Sequence, residues 1–401
     1  MKKMTILLFV YLISYTICYS HTNTEKTEYA RLKTLIDSIQ KKYAPDKRVE
    51  LFDITVADHH GKPVLKGAAT SKDAYNELLL GVQKVVTSYI DSIELLPAAD
   101  LDGKTYGIVN VSVADIRVNN DFEYEMATQS ILGTPLKVLQ KKGKWSRVQT
   151  PDGYIAWTHN LSFTSMTKDE FNIWTQAPKI VFTDYFGFTY LMPDEKGRRV
   201  SDIVNGNILK YEGVEGDFFK VSYPDGRIAY IKKEQGMLFD EWINSLPVTP
   251  ENIVNKAYTL MGIPYTWGGT SVKGMDCSGF TKSVLFMFGV ILMRDASQQV
   301  NTGIPVDITN HNNLQIGDLM FFGKKAEGNK KERIRHVGFY IGENKFIHAS
   351  GYVRISSMNP SDADYDEQNT KEFVRASRVV GAIDTEGIWK ITNNPFYQLQ
   401  K

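Results

Sequence analysis

One fifteen-residue segment occurs twice in this chain, and it limits what the middle of the molecule can fold into. Gly143-Lys-Trp-Ser-Arg-Val-Gln-Thr-Pro-Asp-Gly-Tyr-Ile-Ala-Trp157 returns 73 residues later as Gly216-Asp-Phe-Phe-Lys-Val-Ser-Tyr-Pro-Asp-Gly-Arg-Ile-Ala-Tyr230. Each copy reads as a strand, a Pro-Asp-Gly turn and a second strand, the hairpin of a small β-barrel. Two copies of one fold are therefore expected. Trp145 and Phe218 fall at matching positions, where a large aromatic belongs in a core rather than against a ligand.

The 401 residues should divide into two to four domains, and 42% apolar content is ample for packed cores. Lys2 and Lys3, the apolar run from Met4 and a small residue at Ser20 read as a secretory signal over residues 1–20. A lipoprotein anchored at Cys18 competes with that reading, but Tyr15-Thr16-Ile17 is a poor lipobox. No later segment approaches the ~18 consecutive apolar residues of a membrane span, so the exported chain is expected to be soluble. Without Lys2 and Lys3 it carries 45 basic against 46 acidic residues, which leaves no electrostatic footprint for nucleic acid. Residues 21–104 read as a small α+β module. Its expected elements are a helix over 22–42, a strand Val49–Val56 and a helix Ala74–Ile93, the last opposed by Val85, Val86 and Thr87. No chemistry is assigned to it.

Cleavage after Ser20 would leave Cys277 as the single cysteine, and an unpaired thiol in an oxidising compartment suggests reactivity. Phe280, Val284 and Phe288 recur on one helical face, widened by Leu285 and Met287, so a buried helix should begin at Cys277 with Asp276 as its N-cap. A thiol in that first turn meets the positive end of the helix dipole, which predicts a lowered pKa. Downstream, His336 to Ile341 alternates with strand period, Gly342-Glu343-Asn344 reads as a turn, and Lys345 to His348 returns. With Ile341 opposite Lys345, both histidines share one sheet face as diagonal neighbours. One imidazole can then take the thiol proton while the other orients it. A metal site is disfavoured without an HExxH or CxxC element, and no cofactor is implied. His21, His59, His60, His159 and His311 read as surface residues.

These residues carry a resemblance. Tyr265-Thr-Trp-Gly-Gly with Asp276-Cys-Ser-Gly-Phe280, then Gln315-Ile-Gly-Asp-Leu319, His336-Val-Gly-Phe-Tyr-Ile-Gly342 and Phe346-Ile-His348, resemble the successive signatures of the NlpC/P60 cysteine peptidases over residues 249–385. The resemblance implies a papain-like α+β domain in which Cys277 is the nucleophile, His336 the base, His348 the group that orients it, and Tyr265 an aid to the oxyanion. The stretch Lys324–Arg335 looks like a solvated loop inserted before His336. Around the repeats, residues 105–165 and 178–236 resemble bacterial SH3-type modules. The whole therefore reads as a multidomain protein: signal peptide, N-terminal α+β module, two SH3-like barrels and the catalytic domain.

That architecture is similar to peptidases that act on freed peptidoglycan stem peptides, cutting L-Ala-γ-D-Glu from the following diamino acid. Peptidoglycan-derived peptides are the implied partners; a monomer, exported to the periplasm or associated with the outer membrane, is expected. Recognition of a free alanine ammonium would fall to Asp276, Ser278, Asp295 and, from the first SH3-type module, Glu125 and Tyr154. An endopeptidase on intact wall and a catalytically silent wall-binding protein are the alternatives; the second would have no use for Cys277, His336 and His348.

Overall fold

A computed structural model describes residues 27–245 and 247–399. The expected signal segment, Cys18 and His21 lie outside the described residues. The chain forms two compact units, with the boundary at Asp100 and Leu101.

In the first unit a helix over 27–43 buries Leu32, Ile36 and Ile39 against a three-stranded sheet. Phe52–His59 pairs antiparallel with Lys62–Ala69, which pairs in parallel with Ile90–Leu95. The crossover helix is Lys72–Val82, capped by Ser71, whose side chain accepts from Ala74 N. The expected helix over Ala74–Ile93 is thus corrected. It ends at Val82, and the β-branched run that opposed it precedes the parallel strand.

The second unit contains both repeats. Two seven-stranded sheets share one order of strands: numbering the strands of each in sequence, both run 7-1-4-5-6-2-3. In the first, Trp145–Gln149 pairs with Ile155–His159, and in the second Phe218–Ser222 pairs with Ile228–Lys232, so the repeated segment is the same hairpin in each. Trp145 and Phe218 are both buried. The helix Lys168–Gln176 joins the two sheets, its start fixed by a capping box between Thr167 and Glu170. The sheets lock together through the buried Asn207, whose Nδ2 donates to the Ser112 carbonyl at 3.0 Å.

The remaining layer is a six-stranded antiparallel sheet in the order Ile304–Val306, Phe373–Arg378, Leu319–Lys324, Arg333–Gly342, Lys345–Ser350, Tyr352–Ser357. The helix Cys277–Phe286 lies on it and brings Phe280 against Phe339, ring centroids 5.9 Å apart. Phe280, Val284, Leu285, Met287 and Phe288 all sit in this core. The stretch 324–335 is exposed, yet much of it is ladder rather than loop: Lys324 pairs with Arg333, and Glu327 with Lys330.

Candidate active site

The helix geometry puts Cys277 at the first helical position. Asp276 is extended and its Oδ1 accepts from Gly279 N at 2.7 Å, which fixes where the helix begins. The Cys277 side chain is buried, with the backbone N–H groups of Val337 and Ser278 directed at its sulfur. Burial, reinforced by the Asp276 charge, pushes the thiol up to about 12. The expectation of a lowered pKa is corrected, because the dipole and the two N–H groups are outweighed by desolvation. In the ligand-free site Cys277 is therefore held as a thiol.

The two histidines meet through an unforeseen route. Phe339 lies opposite Ile347, the register expected, but it is reached by a bulge at Ile341 and a two-residue turn, Glu343-Asn344, with both residues at positive φ. His336 Nε2 is 2.7 Å from His348 Nδ1, and His348 Nε2 is 3.0 Å from Ser356 Oγ. Nδ1 is the ring nitrogen of His336 left to act on a proton. Burial drives His336 down to about 4 and His348 to about 2, with Arg335 and Arg354 adding to both shifts, so both rings are neutral near pH 7. A neutral chain has one consistent direction: with Nδ1 of His336 an acceptor, its Nε2–H donates to His348, whose Nε2–H donates to Ser356.

Tyr265 is held by its N–H to the Gly351 carbonyl and by a bridge to Met275. Burial raises its phenol, and Cys277 and Asp276 raise it further, so it stands beside the thiol as a donor.

Asp276, Ser278 and the loop before them are organised by a residue to which the sequence reading gave no role. Arg294 is fully buried. Its Nη1 donates to Asp276 Oδ1 at 3.1 Å and Ser278 Oγ at 2.9 Å, its Nη2 to Asp276 Oδ2 at 2.5 Å, and its Nε to Thr128 Oγ1 of the first repeat sheet at 2.9 Å. Burial works against this cation, but the adjacent Asp276 holds it charged. Asp276 also accepts from Gly268 N at 2.9 Å, Gly279 N and Ser278 Oγ. Five donors meet a carboxylate with about four lone-pair sites. The expected role of Asp276 as an ammonium ligand is therefore corrected: its acceptors are taken up and its charge is matched by Arg294. The signal available in sequence was an arginine placed directly after the apolar run Val290 to Met293.

The first repeat sheet borders this centre. Glu125 accepts from Trp267 Nε1, Gln129 Oε1 from Thr270 N at 3.1 Å, and the Gln129 carbonyl from Thr270 Oγ1 at 3.1 Å. Glu125 therefore reaches the loop whose next residue, Gly268, binds Asp276. Asp295 is half-buried at the start of the short helix Ala296–Gln299, its N–H held by Gln298 Oε1 at 3.0 Å. Tyr154 is half-buried in the turn of the repeated hairpin, its carbonyl accepting from Thr150 N. That turn also holds Asp152, which pairs at 2.6 Å with Lys282 on the helix Cys277–Phe286. Among the described residues no group of His, Cys, Asp and Glu side chains is arranged to hold a metal.

The NlpC/P60 family model matches residues 262–375, and that of the bacterial dipeptidyl-peptidase Sh3 domain matches residues 116–160. The gamma-D-glutamyl-L-lysine dipeptidyl-peptidase of Bacillus cereus is 32% identical over 248 residues, covering 59% of this chain and 71% of that protein. Dipeptidyl-peptidase 6 of Lysinibacillus sphaericus is 26% identical over 267 residues, covering 63% and 91%. The crystal structure of an NlpC/P60 family protein from Bacillus cereus shares the fold, with a TM-score of 0.58 at 24% identity over 68% of this chain and 99% of that one.

Proposed function

Because the chain belongs to the NlpC/P60 family, with an SH3-like domain ahead of its NlpC/P60 domain, we propose that it is a cysteine peptidase acting on peptidoglycan stem peptides with a free N-terminal L-Ala. The bond cut joins the γ-carboxyl of D-Glu to the amine of the diamino acid. The observation that carries this reading is a hydrogen-bonded run His336–His348–Ser356 on the strands beside a helix-N-terminal thiol, at which the N–H of Val337, the residue after His336, is directed.

In the proposed reaction His336 Nδ1 takes the thiol proton as Cys277 Sγ attacks the γ-carbonyl, and His348 accepts from the imidazolium Nε2–H. The Cys277 N–H, which has no intrahelical acceptor, and the Tyr265 hydroxyl receive the oxyanion. His336 then protonates the leaving amine. A water, deprotonated by the same nitrogen, releases the acyl group and regenerates the thiol.

The amine of L-Ala is assigned to Asp295 and Glu125, with Ser278 and Tyr154 as polar neighbours. What supports this is the docking of Glu125 and Gln129 on the loop before Cys277 and of Thr128 on Arg294, which favours a first module that borders the pocket over a separate anchor. The names of the two dipeptidyl-peptidase relatives agree with it. The shared strand order supports assigning SH3-like barrels to both 105–165 and 178–236, ahead of a catalytic domain at 249–385. An exported enzyme, periplasmic or outer-membrane-associated, follows from a wall-derived substrate.

The test is mass spectrometry of products from L-Ala-γ-D-Glu-diaminopimelate peptides with free and N-acetylated alanine, beside intact wall and Cys277→Ala as the inactive control. Acetylation removes a charge-assisted contact and should lower kcat/KM by roughly 30-fold to several thousand-fold. Equal rates on the two peptides would move the assignment to an endopeptidase on intact wall. Full activity of Cys277→Ala would end the peptidase mechanism.

A further inference from the structure

We infer that the first repeat sheet supplies a positioning residue to the nucleophile: Thr128 holds the Arg294 guanidinium square to Asp276 and so sets how readily Cys277 gives up its proton. This rests on the reading of Cys277 as nucleophile.

A guanidinium is a rigid planar fork, so fixing one N–H fixes the direction of the others. Arg294 Nε donates to Thr128 Oγ1, and that leaves the Nη1–Nη2 edge facing both oxygens of Asp276. Thr128 is itself buried, and Gln129 beside it is tied to Thr270. Without the Thr128 hydroxyl, Nε–H would be a buried donor lacking an acceptor. The plane would turn to find one, and at least one bond to Asp276 would break.

The consequence reaches the sulfur through charge and through the helix cap. The groups facing Cys277 are Asp276 and Arg294, the Tyr265 phenol, and the N–H groups of Ser278 and of Val337, which follows His336 on its strand. Asp276 opposes the thiolate and Arg294 favours it, so a loosened clamp leaves the negative member closer to acting alone. Asp276 also caps the helix that Cys277 starts, and its drift would misdirect the N–H groups of that turn. Thr128 and Arg294 are 166 positions apart, in different modules. The SH3-like domain is by this argument a component of nucleophile activation as well as a wall of the pocket.

The experiment measures inactivation by iodoacetamide from pH 6 to 10 on the full chain for wild type, Thr128→Val and Thr128→Ser. Valine keeps the shape and removes the acceptor; serine keeps the acceptor. Thr128→Val should react about three- to tenfold more slowly near pH 7, the thiolate fraction lost when the midpoint rises by half to one unit. Its kcat should fall while KM holds, and Thr128→Ser should follow wild type. A folded Thr128→Val whose pH profile overlays wild type would overturn the inference, as would a serine variant as impaired as valine. If Thr128→Val does not fold, Arg294→Lys, which keeps the charge and loses the fork, must show the same upward shift; an unmoved profile would overturn it equally. Alkylation needs no substrate. A chain that alkylates as described yet cuts none of the peptides refutes the proposed substrate, not this coupling.

Discussion

Replacing Gly268 with alanine tests whether the first module is seated on the loop before Cys277. Gly268 has φ +78°, and a Cβ there would lie 2.4 Å from the Met126 carbonyl oxygen and 2.9 Å from its carbon. Ordinary contact begins at 3.4 Å, so one of two backbones must yield by about 1 Å. The left-handed conformation alone costs an L-residue about 1–2 kcal/mol. Displacing the strand Met126–Ile131 would also loosen the two bonds from Thr270 to Gln129, at about 1 kcal/mol each. Gly268→Ala should therefore lose about 3–4 kcal/mol. Gly262 is the control. It has φ +83° with nothing within 4 Å of the added carbon, so Gly262→Ala should lose only the conformational 1–2 kcal/mol. Urea unfolding of both variants at one pH reads the difference, expected at about 2 kcal/mol, and kcat/KM of Gly268→Ala should fall because the displaced strand carries Thr128. Equal losses in the two variants would refute the docking argument.

Two further outcomes follow from charge and burial. Both buried histidines are held below their ordinary 6.5, so the unfolded chain takes up protons first. The stability of the neutral pair is complete above pH 6.5 and is lost as pH falls through about 4 for His336 and about 2 for His348. Between pH 6.5 and 5 each ring should contribute on the order of 2 kcal/mol of that loss; His336→Gln should show a shallower decline in urea midpoint over the window, and a slope unchanged from wild type would contradict the burial argument. Arg294→Met strands the Asp276 charge and should cost about 3–5 kcal/mol, whereas Arg294→Met with Asp276→Asn should recover much of it. Additive losses in that cycle, measured by urea unfolding, would mean that the two side chains do not act as a pair.

What could be read in the sequence was what short spacings encode. The helix after Cys277 announced itself by Phe280, Val284 and Phe288, the histidine strands by their alternation, and the shared hairpin by its repetition. The bulge at Ile341 escaped because a bulge plus a two-residue turn conserves the register of a longer loop. The thiol's direction was misread because a cap and a dipole are visible in sequence, while the burial that outweighs them depends on the strand bearing Val337. Arg294 escaped for a related reason: its place after the apolar run Val290 to Met293 hinted at burial, but its partners Asp276 and Thr128 lie 18 and 166 positions away, out of reach of any local pattern. Glu125 could be named, whereas its contact with Trp267, 142 positions on, could not be foreseen.

In the proposed mechanism, a nucleophile kept as a buried thiol also bears on the survival of a cell-wall hydrolase. Peroxides attack thiolate far faster than thiol, and the first product, a sulfenic acid, leads on to species that are not reversed. Cys277 spends its idle time in the unreactive form, and proton transfer to His336 need occur only when an acyl group is in place. The same desolvation that makes the resting sulfur a poor nucleophile thus works as a preservative for Cys277.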